Sequence, residues 1–205
     1  MLETMRLECA RGNRTIFRDV SFAVRPGECF RVTGPNGSGK TTLLRMLCGL
    51  IPPVQGAVCW RGADIRSLGE EYFADMTFIG HRAGIKDDLT ALENLRVSSG
   101  LNGIEVSIRD AASALARMGL AGRENLPARL LSEGQRRRLS LARLLECRTS
   151  LWLLDEVLNS LDASAVALVQ SIIDDHLSRG GMAVIATHQE LDLISGRPQQ
   201  IELAA

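Results

Sequence analysis

The sequence predicts an α/β fold with three parts: a parallel sheet flanked by helices, an antiparallel sheet built from N-terminal strands, and an inserted helical segment. Three observations predict it. Strand and helix patterns alternate at both ends of the chain, while the middle, about 86–146, has helical periodicity only. Two short apolar runs, LWLLD (151–155) and MAVIAT (182–187), read as strands buried on both faces. A glycine-rich turn, GPNGSGKTT (34–42), joins a strand pattern to a helix pattern.

Residues 2–9 and 15–24 alternate apolar and polar side chains and read as strands, and Pro26-Gly27 makes the turn that follows. The next strand is ECFRVT (28–33). A helix follows over 41–49, with Gly49 as its C-cap, and Pro52 and Pro53 forbid its continuation. Strands are expected at 57–62 and 76–80, then helices at 90–98 and 107–118. Ser132 opens a helix that runs to about Cys147. A long helix over 163–179 is closed by Gly180-Gly181, and QQIELA (199–204) forms a final strand. No repeat, low-complexity tract or linker interrupts this order, so 1–205 is expected to be one domain carrying the insertion.

Composition narrows the function classes. Lys plus Arg and Asp plus Glu number 24 each, so the electrostatic footprint of a nucleic-acid binder is missing. Aromatic residues make up 4%, too few for an extensive base-stacking platform. The basic run Arg136, Arg137, Arg138 is local and reads as a solvated helix face. The five cysteines form no CxxC pair, and three sit in apolar runs, which suits buried thiols in a reducing compartment. Glu3 and Glu8 break any early apolar run, so no signal peptide is expected. The longest apolar stretch, 43–54, contains Arg45 and two prolines and is too short to cross a bilayer. A soluble chain is expected, one that meets a membrane only through a partner.

Gly34, Gly39, Lys40 and Thr41 fit the spacing G-x-x-x-x-G-K-[ST]. Glycines let backbone N–H groups turn inward around a phosphate, and Gly34, Pro35, Asn36, Gly37, Ser38 and Gly39 are the loop residues expected to surround it. The helix beginning near Lys40 points its positive dipole end at the anion, Lys40 supplies a mobile charge, and the hydroxyls of Thr41 and Thr42 lie next to it. Thr41 can take a Mg²⁺ position. A ligand-free glycine turn is the bland alternative. LWLLDE places Asp155 at a strand's C-terminal end, where it can hold Mg²⁺ through its water shell, and Glu156 can orient an attacking water. An ordinary acidic loop is the alternative there. LSEGQ (131–135) begins a helix with the capping-box spacing Ser132 to Gln135, and Ser132, Gly134 and Gln135 offer a second phosphate-binding helix end. One nucleotide does not easily use both ends within one chain. A head-to-tail homodimer would let each Ser132 helix cap the phosphate held by the other copy's Lys40.

At these residues the chain resembles the ABC-type ATPases, a P-loop NTPase (RecA-like) fold. LSEGQ is similar to the LSGGQ signature with Glu133 in place of a glycine, NSLD (159–162) sits at the D-loop, and Thr187-His188 follows a strand as the switch histidine does. The resemblance implies an ATPase using ATP with Mg²⁺, with Lys40, Glu156 and His188 catalytic. His81 stands where most members carry the Q-loop glutamine and inherits its nucleotide and Mg²⁺ contacts, with a structural imidazole as the alternative. Arg11 aligns with the adenine-stacking aromatic. Val157 replaces the proline that usually follows the glutamate, which suggests a looser Glu156.

IGHRAGIKDDLTALENL (79–95) resembles one subgroup, the haem exporter ATP-binding subunits of cytochrome c maturation, called CcmA. That resemblance implies integral-membrane permease partners, a peripheral place on the cytoplasmic face of the inner membrane, and hydrolysis tied to release of a haem-loaded chaperone. It implies no direct haem contact and no nucleic acid. Asp87, Asp88 and Glu93 are then candidates for meeting a membrane partner, or else an ordinary solvated acidic loop. The alternatives are an ATPase for another exporter and a soluble ABC-type ATPase. A P-loop kinase has no use for LSEGQ or the switch histidine.

Overall fold

The computed structural model describes residues 1–12 and 14–204. The chain opens with strands β1 (Leu2–Arg11), β2 (Arg14–Val24) and β3 (Cys29–Thr33), then helix α1 (Lys40–Leu47). Strands β4 (Gln55–Trp60) and β5 (Ala63–Asp64), short helices α2 (Ile65–Leu68) and α3 (Glu70–Ala74), and strand β6 (Met76–Ile79) follow. Helices α4 (Ala91–Leu101), α5 (Ile108–Arg117) and α6 (Glu133–Glu146) fill the middle, with a single 3-10 turn at Ala128–Leu130. The chain closes with β7 (Leu151–Asp155), α7 (Ala163–Ser178), β8 (Met182–Ala186) and β9 (Gln199–Glu202). The expected elements are all present, and their ends differ from expectation by a few residues. The sequence reading missed β5, α2 and α3, whose patterns are too short to show a period. Asp64 caps α2 by accepting from the Arg66 N–H, and Tyr72 buries α3.

Two compact units emerge. The first comprises Met1–Phe78, Thr149–Glu156 and Ile173–Ala205, and the second Ile79–Arg148 and Val157–Ile172. The first holds an antiparallel sheet in the order β2-β1-β4-β5. The other sheet runs β6-β7-β8-β3-β9, in which β7, β8, β3 and β9 pair in parallel. Every residue of β7 and β8 is buried, which explains their unbroken apolar runs: helices or another sheet must cover both faces of a parallel sheet. Phe22 of β2 stacks on Phe30 of β3 with ring centres 4.1 Å apart, joining the cores of the two sheets. Each fully buried Leu or Ile here contributes about 1.5–3 kcal/mol.

Cys9, Cys29 and Cys48 are buried and unpaired, as expected, and burial pushes the Cys29 and Cys48 thiols up to about 12. Gly49, with φ 71°, lies one residue past the α1 cap and ends the helix in the left-handed turn that glycine favours. His176 of α7, unremarked in the sequence, lies face to face on Trp152 with ring centres 3.8 Å apart, and its Nε2–H donates to the Met182 carbonyl at 3.2 Å.

In the second unit α4, α5 and α6 pack on one another. Thr90 and Glu93 form a capping box at α4, Ser107 caps α5, and Ser132 and Gln135 form the capping box expected at α6. The reading of Arg136–Arg138 as a solvated face is corrected. Arg137 is 6% exposed, Arg136 pairs with Asp87, and Arg138 pairs with Asp162 at 2.5 Å. Position 137 lies on the same helical stripe as the buried Leu141 and Leu144, so the apolar period carries it inward.

Burial pushes the His176 imidazole down to about 4 from an ordinary 6.5. The unfolded chain therefore takes up a proton that the folded chain refuses. Stability from this group is complete above about pH 6.5 and is lost as pH falls toward 4. Melting curves across that window should show wild type losing about 2 °C or more relative to His176→Phe, which keeps the stack but cannot protonate. A difference between the two that does not change with pH would refute this.

Candidate nucleotide-binding site

The parallel strands bring three segments to one edge of the first unit. Val32 of β3 and Asp155 of β7 are both in register with Ala186 of β8. The loop after β3, the carboxylates ending β7 and Thr187-His188 after β8 therefore emerge together, at the carboxyl ends where open α/β sheets take ligands.

Glycine is required in this loop. At Gly34 φ is 135°, and a Cβ would sit 2.4 Å from the Leu203 carbonyl oxygen and 2.7 Å from Ser38 Oγ. Gly39 takes the N-cap position of α1 at φ 100°, and its Cβ would meet Ile16 at 2.6 Å. With no side chain at the cap, the first N–H groups of α1 stay open to an anion. Pro35, Asn36 and Gly37 are exposed at the loop's crest, Ser38 is buried beneath them with a hydroxyl that has no hydrogen-bond partner, and Thr42 is half-buried.

Lys40 is 7% exposed and uses all three of its ammonium protons. It donates to the Gly34 carbonyl at 2.7 Å, to the Pro35 carbonyl at 3.2 Å and to His188 Nε2 at 2.9 Å. An ammonium has no lone pair, so Lys40 donates and His188 Nε2 accepts in this bond. Glu156 Oε1 lies 3.8 Å from Lys40 Nζ and 3.5 Å from His188 Nε2. Thr41 Oγ1 donates to Asp155 Oδ1 at 3.2 Å, and Asp155 is almost fully buried. Arg31, which the sequence reading passed over, donates to the His188 carbonyl at 3.1 Å and fixes the backbone of that histidine. Lys40, Thr41, Asp155, Glu156 and His188 are thus brought together.

Glu156 has φ 52°, a left-handed conformation uncommon for a residue with a side chain, and its N–H donates to the Ala186 carbonyl at 2.9 Å. A proline at 157 would push residue 156 away from helical backbone angles toward extended ones. Val157 is fully buried and its carbonyl accepts from Arg137 Nε at 3.1 Å, so the looseness expected there is not what the packing displays.

The second unit holds the other candidates. Ser132 Oγ accepts from the Gln135 N–H at 3.3 Å, and Gln135 Oε1 accepts from the Ser132 N–H at 3.0 Å. Glu133 accepts from the Ser160 hydroxyl at 3.1 Å, and a Cβ on Gly134 would lie 3.2 Å from the Ser160 carbonyl oxygen. The residue that departs from LSGGQ therefore ties the signature to the NSLD loop. His81 is exposed. Asp88 pairs with Arg129 at 3.2 Å, and with Asp87 on Arg136 and Glu93 in its capping box, the three acidic residues all have partners within the chain. Arg11 is exposed at the end of β1 in register with Arg14.

Gly34→Ala should destabilise the chain by about 2 kcal/mol or more, since it combines positive φ with a carbonyl clash. Urea unfolding measures it, and an unchanged midpoint would mean that the loop re-forms without glycine.

The ABC transporter family description matches residues 17–159. The cytochrome c biogenesis ATP-binding export protein CcmA of Nitrosospira multiformis is 55% identical over 202 residues, covering 98% of each chain. The protein of the same name from Nitrosomonas europaea is 57% identical over 191 residues, covering 93% of this chain and 90% of that one. A dimeric ATP-binding cassette solved after hydrolysis with ADP and phosphate superposes with a TM-score of 0.80, covering 92% of this chain and 88% of its own. At 22% identity that likeness bears on the fold alone. Matched over most of its length, the chain belongs to the ABC transporter ATPase family, and within it to the cytochrome c biogenesis ATP-binding export proteins, CcmA.

Proposed function

We propose that this chain binds and hydrolyses ATP for a membrane complex of cytochrome c biogenesis, at the cytoplasmic face of the inner membrane, and that hydrolysis releases a haem-loaded chaperone. The observation that carries the ATPase reading is the Lys40–His188–Glu156 cluster beside the open N-terminus of α1. Among the described residues, no helix is long and apolar enough to cross a membrane, so the place at the membrane would come from permease partners.

ATP would enter with its β-phosphate in the loop Gly34–Thr42. Lys40 exchanges its carbonyl and imidazole acceptors for phosphate oxygens, which are stronger acceptors because they are charged. That exchange frees His188 Nε2 and lets Glu156 take a water. Glu156 orients this water and accepts its proton, while a ring N–H of the freed His188 donates to the terminal phosphate. Mg²⁺ suits the paired oxygen donors Thr41 and Asp155, and it would neutralise charge between the phosphates. The remaining positions would fall to water and nucleotide, since no cluster of three His, Cys, Asp or Glu side chains exists among the described residues. His81 is the candidate for reporting the phosphate to the partner. Ser132, Gly134 and Gln135 would complete the site of a second copy, which makes the working species a homodimer. The guanidinium of Arg11 would lie against the adenine.

Lys40→Ala should weaken ATP binding about tenfold or more and reduce turnover to background. Glu156→Gln should hold Kd within about threefold and lower kcat about a hundredfold or more, trapping an ATP-bound dimer visible by gel filtration. Unchanged turnover would remove Glu156 from this role. A tagged chain drawn from detergent-solubilised membranes should bring small polytopic proteins and haem absorbance. A permease without haem would assign another cargo, and no membrane protein at all would point to a soluble ATPase.

A further inference from the structure

Three arginines open α6, and they divide between two loops of the second unit. Arg136 faces the segment before α4, pairing with Asp87 and reaching the Ala128 carbonyl at 3.5 Å. Arg138 faces the segment after β7 through Asp162. Arg137 lies between them and takes hold of both. Its Nε donates to the Val157 carbonyl at 3.1 Å, and its Nη1 donates to the carbonyls of Gly80 at 3.1 Å and His81 at 3.3 Å.

A buried guanidinium is costly unless its N–H groups find acceptors, so these bonds are held firmly. The group is also planar and rigid. Nε and Nη1 keep a fixed separation, so a shift of the His81 peptide must be followed by the Val157 peptide or break a buried bond. The two peptides flank different functional candidates. One carries His81. The other follows Glu156, whose φ of 52° is a conformation that neighbours must impose. Neither lysine nor glutamine can reproduce the link. Lysine offers a point charge on a flexible stem, and glutamine one amide group on a shorter one.

We propose that Arg137 is a positioning residue, a rigid link through which the His81 loop and the Val157–Leu158 peptide, one residue past Glu156, move as one, so that hydrolysis answers to the state of that loop. The proposal rests on the ATPase reading, but its first test does not depend on it. In the purified full-length chain without nucleotide, Arg137→Gln should speed amide hydrogen exchange in both 80–86 and 157–162, while α4 is unchanged. Faster exchange in only one segment, or in neither, would overturn the link. With ATP and Mg²⁺, the wild type should slow exchange in both segments together, and the variant in no more than one. The variant should keep its KM for ATP within about threefold while kcat falls about tenfold or more, a split that a general loss of folded protein does not produce. Equal changes in KM and kcat would count against the proposal. Arg137→Lys keeps the stem and charge and is the second variant should the first not fold. It should decouple the segments as well, and full rescue by lysine would overturn the argument from the fork. A wild-type chain whose segment 34–47 ignores ATP would sink the ATPase reading instead, and the nucleotide-free comparison would still decide the link.

Discussion

A positive charge nearly removed from water organises this molecule. The Lys40 ammonium sits against two carbonyls, an imidazole nitrogen and a carboxylate. Taking an ammonium out of water costs several kcal/mol unless such partners are in place. The partners come from three places: the two carbonyls from the loop after β3, Glu156 from just past β7 and His188 from just past β8. They coincide because β3, β7 and β8 are parallel and in register. The sheet's topology is thus a requirement of the site as well as of the core. The apolar composition of β7 and β8 serves both.

The parts of this design that are local in sequence could be read from it. The glycine loop, the acidic pair after LWLL, the capping spacing of Ser132 and Gln135, and the histidine after MAVIAT all announce themselves within a few neighbouring residues. The alternating strands and the helical middle follow from side-chain period alone. What escaped was what depends on partners distant in the chain. Arg31 and His188 lie 157 residues apart, and Glu133 and Ser160 lie 27 apart. Neither pair leaves a trace in composition or period. Arg137 is a different failure. A run of three arginines suggests solvent, and its charge outweighed the helical stripe that it shares with Leu141 and Leu144. The acidic residues 87, 88 and 93 were visible as charges, but their use as internal partners was not.

Two of the departures from the family pattern, Glu133 and Val157, turn out to be structural statements. Glu133, in place of a signature glycine, is an acceptor for the Ser160 hydroxyl, so the loop after β7 gains a contact that glycine could not make. Val157, in place of proline, leaves its neighbour free of the restriction that proline imposes on the residue before it. Glu156 occupies that freedom at φ 52°. Side chains that look like relaxations of a motif here replace one kind of restraint with another: hydrogen bonds and burial in place of a ring.

The buried thiols have a consequence of their own. Alkylating reagents and oxidants attack the thiolate, and at neutral pH Cys29 and Cys48 hold almost none of it in the closed core. They react when the surrounding structure opens. Each is therefore a built-in clock for breathing of the sheet on which it lies or against which it packs, and the rate at which it takes a label reports how often the floor of the glycine loop comes apart.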